Sequence, residues 1–211
     1  MARARTARDG LLDVALNTIR QRGFASTSVD ELCAAAGVTK GAFFHHFASK
    51  EALGVAAADH WTLVTSAFFA SASYHRHEDP LERVLAYVAF RRSILQGDVS
   101  EFTCLVGTMA QESHVTSRAI ANACNQSIRR HAATIEADIA VAMQQRGLDV
   151  SGVNTGWSAA SLALHTQAVL QGSFILAKAE GTAAIAEEGV DHLDRYIRLL
   201  FAAHPKKGEG K

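Results

Sequence analysis

Proline is almost absent from this sequence, and so is the alternation of β-branched and polar residues that strands require. Only Pro80 and Pro205 occur among 211 residues, whereas Ala-rich stretches are long. This composition favours an all-α fold. The chain also lacks an apolar run of about 18 residues, and no hydrophobic segment follows its basic N-terminus. We therefore expect neither a membrane span nor a secretory signal.

Cysteine is scarce as well. The three cysteines, Cys33, Cys104 and Cys124, are widely spaced and have no metal-ligand spacing. They predict reduced thiols in a cytoplasmic protein and no metal site. The chain has no Gly-rich phosphate loop and no local nucleophile motif. We accordingly predict no cofactor, no catalytic residue and no enzymatic activity.

Net charge is zero, but the charges are unevenly distributed. Residues 1–50 carry seven basic and four acidic side chains, a net charge of +3, so the other residues carry −3. A small basic segment on a larger acidic body is typical of a DNA-binding head. Arg3, Arg5 and Arg8 form either an arm that reaches DNA or a disordered basic terminus.

Residues 24–53 read as two short helices and the start of a third. Ser28 and Glu31 have the spacing of a capping box at the start of the first helix. Gly37 supplies the turn because it tolerates positive φ, and Thr39 caps the second helix. This pattern predicts a helix-turn-helix, which presents one short helix to a DNA major groove.

Helical rotation separates the roles of residues on that second helix. Phe43 and Phe47 share a face that packs inward, whereas His45 and Gly41 point away from it. His46 falls nearer the buried side. We therefore expect His45 to contact DNA and His46 to pack, since adjacent residues on a helix do not face each other.

The segment resembles the DNA-binding signature of the tetracycline-repressor (TetR) family. The positions in register are Thr27, Ser28, Val29, Leu32, Ala36, Gly37, Val38, Gly41, Phe43, Phe44, His46, Phe47, Ser49, Lys50, Glu51 and Leu53. The family commonly has a Tyr where this chain has Phe44, and a Thr or Ser where it has Ala42. Lys50 matches the family's phosphate-contacting lysine, and we favour this role over the alternative of a solvated lysine.

The resemblance implies an all-α protein with a three-helix DNA-binding head at 1–52. A larger helical effector-binding and dimerisation body follows at 53–204, and we expect 205–211 to be a disordered tail. The candidate DNA-binding residues are Thr27, Ser28, Thr39, Lys40, Gly41, Ala42, Phe44, His45 and Lys50.

Residues 100–113 contain two stripes at helical spacing. Phe102, Leu105, Val106 and Met109 are expected to form one apolar stripe facing the core. Cys104, Thr108 and Gln111 form a second stripe, which either borders a ligand cavity or packs against a neighbouring helix. In some members of the resembling family a cysteine senses electrophiles, which makes Cys104 a candidate sensor. Trp61 and His165 complete the candidate effector-binding residues.

The long segment 115–146 reads as one helix or two, with Ile128, Ile135 and Ile139 inward. Its polar residues Arg118, Arg129, Arg130, His131 and Arg146 are interpreted as a solvated face. The last two helices, near 156–180 and 183–203, are apolar on several sides and predict a four-helix interface between two subunits. Trp157 and His165 border either the cavity or this interface.

The sequence therefore predicts a cytoplasmic, homodimeric transcriptional regulator, most simply a repressor. Its partners would be a pseudo-palindromic double-stranded DNA operator and a small, mainly apolar or electrophilic effector. Activation instead of repression remains open. The alternatives are an all-helical enzyme and a ligand carrier that uses the C-terminal cavity.

Overall fold

A computed structural model describes residues 6–204, and all regular structure in this range is helical. The helices are α1 Ala7–Arg22, α2 Val29–Ala36, α3 Lys40–His46, α4 Lys50–Ala70, α5 Pro80–Ser93, α6 Val99–Phe102, α7 Leu105–Ser113, α8 Arg118–Gln145, α9 Ala159–Glu180 and α10 Ala184–Ala202, with a 3-10 turn at Ser73–Arg76. The all-α prediction is confirmed. Arg3, Arg5 and the tail 205–211 lie outside the described residues.

Side-chain caps define the first three helices. Thr6 and Asp9 form a capping box, so α1 begins at Ala7. Ser28 and Glu31 form the predicted box at α2. Gly37 ends α2 with φ of 65°, a left-handed conformation that a Cβ would strain.

Two compact units divide the chain. The first contains the residues up to Ala67 together with Thr103–Ile128, and the second contains Phe68–Phe102 and the residues from Arg129 onward. Helices α4 and α8 therefore each contribute to both units. The first unit extends past residue 52, where the sequence reading placed the end of the head.

The core of the first unit joins the helix-turn-helix to α7. Leu11, Ile19 and Phe43 are fully buried there, together with Leu105 and Met109. This burial of apolar surface is the main stabilising contribution to the unit. Residues far apart in the sequence thus complete the three-helix head.

The expected single stripe over residues 102–109 was wrong for Phe102. The helical conformation is interrupted at Thr103 and Cys104, and Cys104 is the extended N-cap residue of α7. Phe102 belongs to the second unit, where its ring centroid lies 6.3 Å from that of Phe174. Packing into two separate cores overrides the local helical periodicity.

The second unit consists of α5, α6, α9, α10, the end of α4 and most of α8. Asp79 caps α5, and Pro80 is the first residue of this helix, which ends at Ser93. Segment 115–146 forms a single helix from Arg118. None of the helices within residues 6–204 is long and apolar enough to span a bilayer.

Candidate functional site

Helix α3 is anchored on one side and exposed on the other. The Oγ1 of Thr39 accepts a hydrogen bond from the backbone N–H of Ala42 at 3.1 Å, which fixes the first turn. Phe43 and Phe47 are buried in the core of the first unit. Phe44 is 55% exposed. The helix therefore presents a defined outer face.

That outer face includes Gly41 and His45, which are exposed, whereas His46 is half-buried. The two imidazole ring centroids lie 5.0 Å apart with an interplanar angle of 69°. The orientation predicted from helical rotation is confirmed. Contact between His45 and DNA stays a prediction.

The two candidate lysines differ in what they contact. Lys40 Nζ lies 2.7 Å from Asp30 Oδ1, and both side chains are exposed. The hydrogen bond to Asp30 raises the pKa of Lys40. Lys40 thus keeps its charge at the surface, beside α3, but shares it with an acidic neighbour.

Lys50 is drawn into the protein. Its Nζ donates to the carbonyl oxygen of Ala25 at 3.2 Å and lies 4.6 Å from the ring centroid of Phe24. Burial lowers the pKa of Lys50. A phosphate contact would require Lys50 to give up these partners, so Lys50 is a weaker candidate for this contact than Lys40.

Thr27 does not present its side chain to solvent. It is 2% exposed, and its Oγ1 donates to the carbonyl oxygen of Gly23 at 2.7 Å. Ser28 is engaged in its capping box, where its N–H donates to Glu31 Oε2 at 2.8 Å. Hydrogen bonds from Ser28 lower the pKa of Glu31, with Arg22 contributing less. In this conformation Thr27 has a structural role, which corrects its selection as a DNA contact.

Sequence reasoning missed Glu112 of α7. Its Oε2 accepts hydrogen bonds from the backbone N–H groups of Phe24 at 2.6 Å and Ala25 at 3.0 Å. The carboxylate fixes the loop that leads into the helix-turn-helix. No local signal reveals this contact, because about 90 residues of chain separate the partners.

Two side-chain donors of the second stripe in 100–113 form hydrogen bonds to backbone carbonyl groups of the same segment. Thr108 Oγ1 donates to the carbonyl oxygen of Cys104 at 3.1 Å, and Gln111 Nε2 donates to that of Gly107 at 3.0 Å. Cys104 is half-buried. The guanidinium carbon of Arg20 lies 5.3 Å from the ring centroid of Trp61. These contacts favour the packing alternative over a cavity wall.

His165 lies on the exposed surface of the second unit. Its ring centroid is 5.1 Å from that of Tyr196, which is itself 42% exposed. Further apolar side chains on α9 and α10 are exposed, namely Leu164, Ile175, Leu176 and Leu199. His165 therefore fits the interface alternative better than the cavity alternative.

His131 was assigned to a solvated face, and this was wrong. Its Nε2 lies 2.8 Å from the hydroxyl of Tyr87, and the ring centroid of Phe69 lies 4.5 Å away. His131, Ile135 and Ile139 share one stripe of α8, a signal that could have revealed this placement. Within residues 6–204, no group of three or more His, Cys, Asp or Glu side chains could hold a metal ion.

Comparisons with known proteins show which sequences this chain resembles. Residues 11–57 match the family model described as "Bacterial regulatory proteins, tetR family". The chain is 48% identical over 50 residues to HTH-type transcriptional regulator AcrR of Shigella flexneri, which covers 24% of this chain and 23% of that protein. It is 30% identical over 110 residues to HTH-type transcriptional repressor DhaR of Mycobacterium sp. (strain GP1), which covers 52% and 54%. These matches thus span about a quarter to a half of each relative.

Solved structures share the fold over nearly the whole length. A TetR transcriptional regulator from Chloroflexus aurantiacus has a TM-score of 0.72 at 25% identity, covering 90% of this chain and 93% of that one. The reduced form of Escherichia coli NemR has a TM-score of 0.73 at 23% identity, covering 90% and 96%.

Proposed function

The chain belongs to the TetR family of bacterial regulatory proteins, and we propose that it is a cytoplasmic, homodimeric repressor. A small effector would control its binding to DNA. The observation that carries this proposal is the outer face of α3, a capped helix within the matching segment 11–57. The relatives named above are transcriptional regulators and a repressor, and their roles support the same class for this chain.

The outer face of α3 has the chemistry to contact a major groove. Lys40 supplies a positive charge for a phosphate, and His45 supplies ring nitrogens for phosphate oxygens or base edges. Phe44 offers an apolar surface that suits the methyl group of thymine. Gly41 and Ala42 are small, so the DNA can approach the backbone closely. Thr39 and Ser28 support the contacts as helix caps, with Lys50 as a secondary phosphate ligand.

Dimerisation is supported by the exposed apolar side chains of α9 and α10. Leu176 is 51% exposed and Leu199 is 71% exposed, on helices that are otherwise packed together. Two such helices from each subunit can form an isologous four-helix interface. A dimer would present two copies of α3 to half-sites about 34 Å apart, one turn of DNA.

In this proposal, the effector regulates DNA binding by changing the populations of the conformations of the dimer. An effector changes operator affinity only by binding one conformation of the dimer more tightly than another. The effector of a repressor must prefer the conformation in which the two recognition helices cannot reach both half-sites. Shifting that equilibrium from about 1:99 to 99:1 requires about a 10⁴-fold difference in affinity.

A mobility-shift assay on the DNA upstream of the protein's own gene tests this proposal. We expect saturable binding by the purified dimer that a shuffled fragment of equal length does not reproduce. Affinity should fall steeply with salt, because bound phosphates release counterions. Binding that is equal on both fragments would reject a sequence-selective regulator, and no binding at low salt would reject the DNA-binding function itself.

A further inference from the structure

Arg91 of α5 carries its charge among aromatic rings in the second unit. Its guanidinium carbon lies 5.1 Å from the ring centroid of Phe69 and 5.7 Å from that of Phe174. Its Nε is buried and has no hydrogen-bond acceptor among residues 6–204. The adjacent Arg92 is different, because it pairs with Glu187 and Asp191 at 3.3 and 2.8 Å.

The polar groups near Arg91 do not supply the missing negative charge. Burial, aided by the charge of Arg91, lowers the pKa of His131 to about 3, so this imidazole is neutral. Burial raises the pKa of Tyr74 to about 12, so its phenol stays protonated. His131 and Tyr74 are therefore neutral, and the carboxylate of Asp138, which also acts on Tyr74, is already paired with Arg83 at 2.7 Å.

These neutral groups are held in place by their own hydrogen bonds. Gln167 Nε2 donates to the hydroxyl of Tyr87 at 3.4 Å, and that hydroxyl lies 2.8 Å from His131 Nε2. A neutral His131 can accept the Tyr87 proton at Nε2, which satisfies both partners. The unmet hydrogen-bonding capacity of the cluster therefore lies on Arg91.

A structural role alone explains this arrangement poorly. Contacts with two aromatic rings attract a guanidinium, but they leave the buried Nε–H without an acceptor, which lowers stability. Arg91, Phe90 and His131 are half-buried, whereas Phe69 and Phe174 are buried at 7% and 4% exposure, so solvent reaches the cluster at the first three residues. A partly exposed cation without an acidic partner, beside an aromatic cluster, supplies the charged group and the apolar surroundings that a ligand site combines.

We propose that Arg91 anchors a site in the second unit for a small organic monocarboxylate with a planar apolar body. The flat guanidinium can donate two parallel hydrogen bonds to a carboxylate, and the half-buried ring of Phe90 offers an apolar surface to the body of the acid. One cation beside a neutral histidine suits a single negative charge. The acid would be the effector, and this regulatory consequence rests on the proposed function, whereas the binding itself does not.

Calorimetry and thermal shift on the full-length protein test the site with benzoate and phenylacetate as probes. Each acid is compared with its uncharged amide. We expect at least one acid to bind saturably at millimolar concentration and to raise the melting temperature, and its amide to do neither. Failure of both acids to bind, or equal binding by acid and amide, would overturn the site.

Two substitutions locate the site. Arg91→Met keeps an unbranched apolar stem and removes the charge, and it should weaken binding of the acid at least about tenfold. It should not lower the melting temperature without ligand, since it removes an unpaired buried donor. Arg92→Met is the matched control and should leave binding unchanged. Undiminished binding by Arg91→Met, or an equal loss in Arg92→Met, would contradict the assignment.

Arg91→Lys protects the test against misfolding of the methionine variant. It keeps the charge but loses the planar fork, so it should bind the acid more weakly than the wild type and fold normally. Wild-type affinity in Arg91→Lys would contradict bidentate binding.

A DNA-binding measurement with and without the acid distinguishes failure of this inference from failure of the proposed function. Acid that binds through Arg91 and releases DNA supports both, and release should be lost in Arg91→Met. A protein that binds the acid but no DNA would refute the proposed function and leave the site standing. Selective DNA binding without Arg91-dependent acid binding would refute the site alone.

Discussion

Lowering the pH should destabilise this protein through His131. The residue is neutral in the fold because burial lowers its pKa to about 3, compared with 6.5 for an ordinary histidine. The unfolded chain takes up a proton on this residue below pH 6.5, whereas the folded chain does not. The stability that this histidine contributes is therefore fully present above pH 6.5 and is lost progressively as the pH falls towards 3.

The magnitude follows from the two pKa values. Each pH unit between them removes up to about 1.4 kcal/mol from the free energy of unfolding. Between about pH 7.5 and about pH 5 the loss amounts to about 2 kcal/mol. Glu31 and Asp149 also have lowered pKa values, but their carboxylates affect stability only at lower pH, below their ordinary values of 4.5 and 3.8. This window therefore isolates the histidines.

Urea unfolding at several pH values, followed by circular dichroism, measures the effect. His131→Gln retains an acceptor for the Tyr87 hydroxyl but cannot take up a proton in this range. Its stability should vary less with pH than that of the wild type, by about 2 kcal/mol across the window. His77→Gln, at an exposed loop position outside the proposed interface, is the matched control and should follow the wild type. Parallel curves for His131→Gln and the wild type would refute the reasoning.

Three further predictions concern the head and the dimer. Ser28→Ala removes the cap of α2 and should lower the free energy of unfolding by about 1 kcal/mol in urea titrations, and an unchanged midpoint would contradict this. Asp30→Asn frees Lys40 from its ion pair and should tighten operator binding in anisotropy titrations, whereas weaker binding would show that Asp30 itself supports the contact. Leu199→Glu should weaken dimerisation by about tenfold or more in light scattering, whereas Val153→Glu, in an exposed loop, should not. Equal dimerisation by both variants would place the interface elsewhere.

The head could be predicted from the sequence because its signals are local. Ser28 and Glu31 lie three residues apart, and Gly37 and Thr39 lie in the following turn, so short-range capping rules are sufficient. The orientation of α3 followed from the rotation of Phe43 relative to its neighbours. Burial of Thr27 did not follow, because a matching family position does not distinguish a contact from a core residue.

The body was harder to predict because its determinants are distant in the sequence. The break before Cys104 depends on which of two cores each neighbouring residue enters, and helical periodicity does not contain that information. Glu112 reaches backbone groups near Phe24, a contact made only in the folded chain. The unpaired charge of Arg91 is likewise visible only once the positions of surrounding acidic side chains are known.

The central claim is that the exposed face of α3 reads DNA, and His45 tests it most directly. We would measure binding of His45→Ala to the upstream DNA by fluorescence anisotropy, with His46→Ala as the matched control. Loss of the exposed imidazole should weaken selective binding without lowering stability. Loss of the half-buried one should mainly lower stability. Undiminished selective binding by His45→Ala, together with a specific loss of binding by well-folded His46→Ala, would contradict this orientation of the recognition helix.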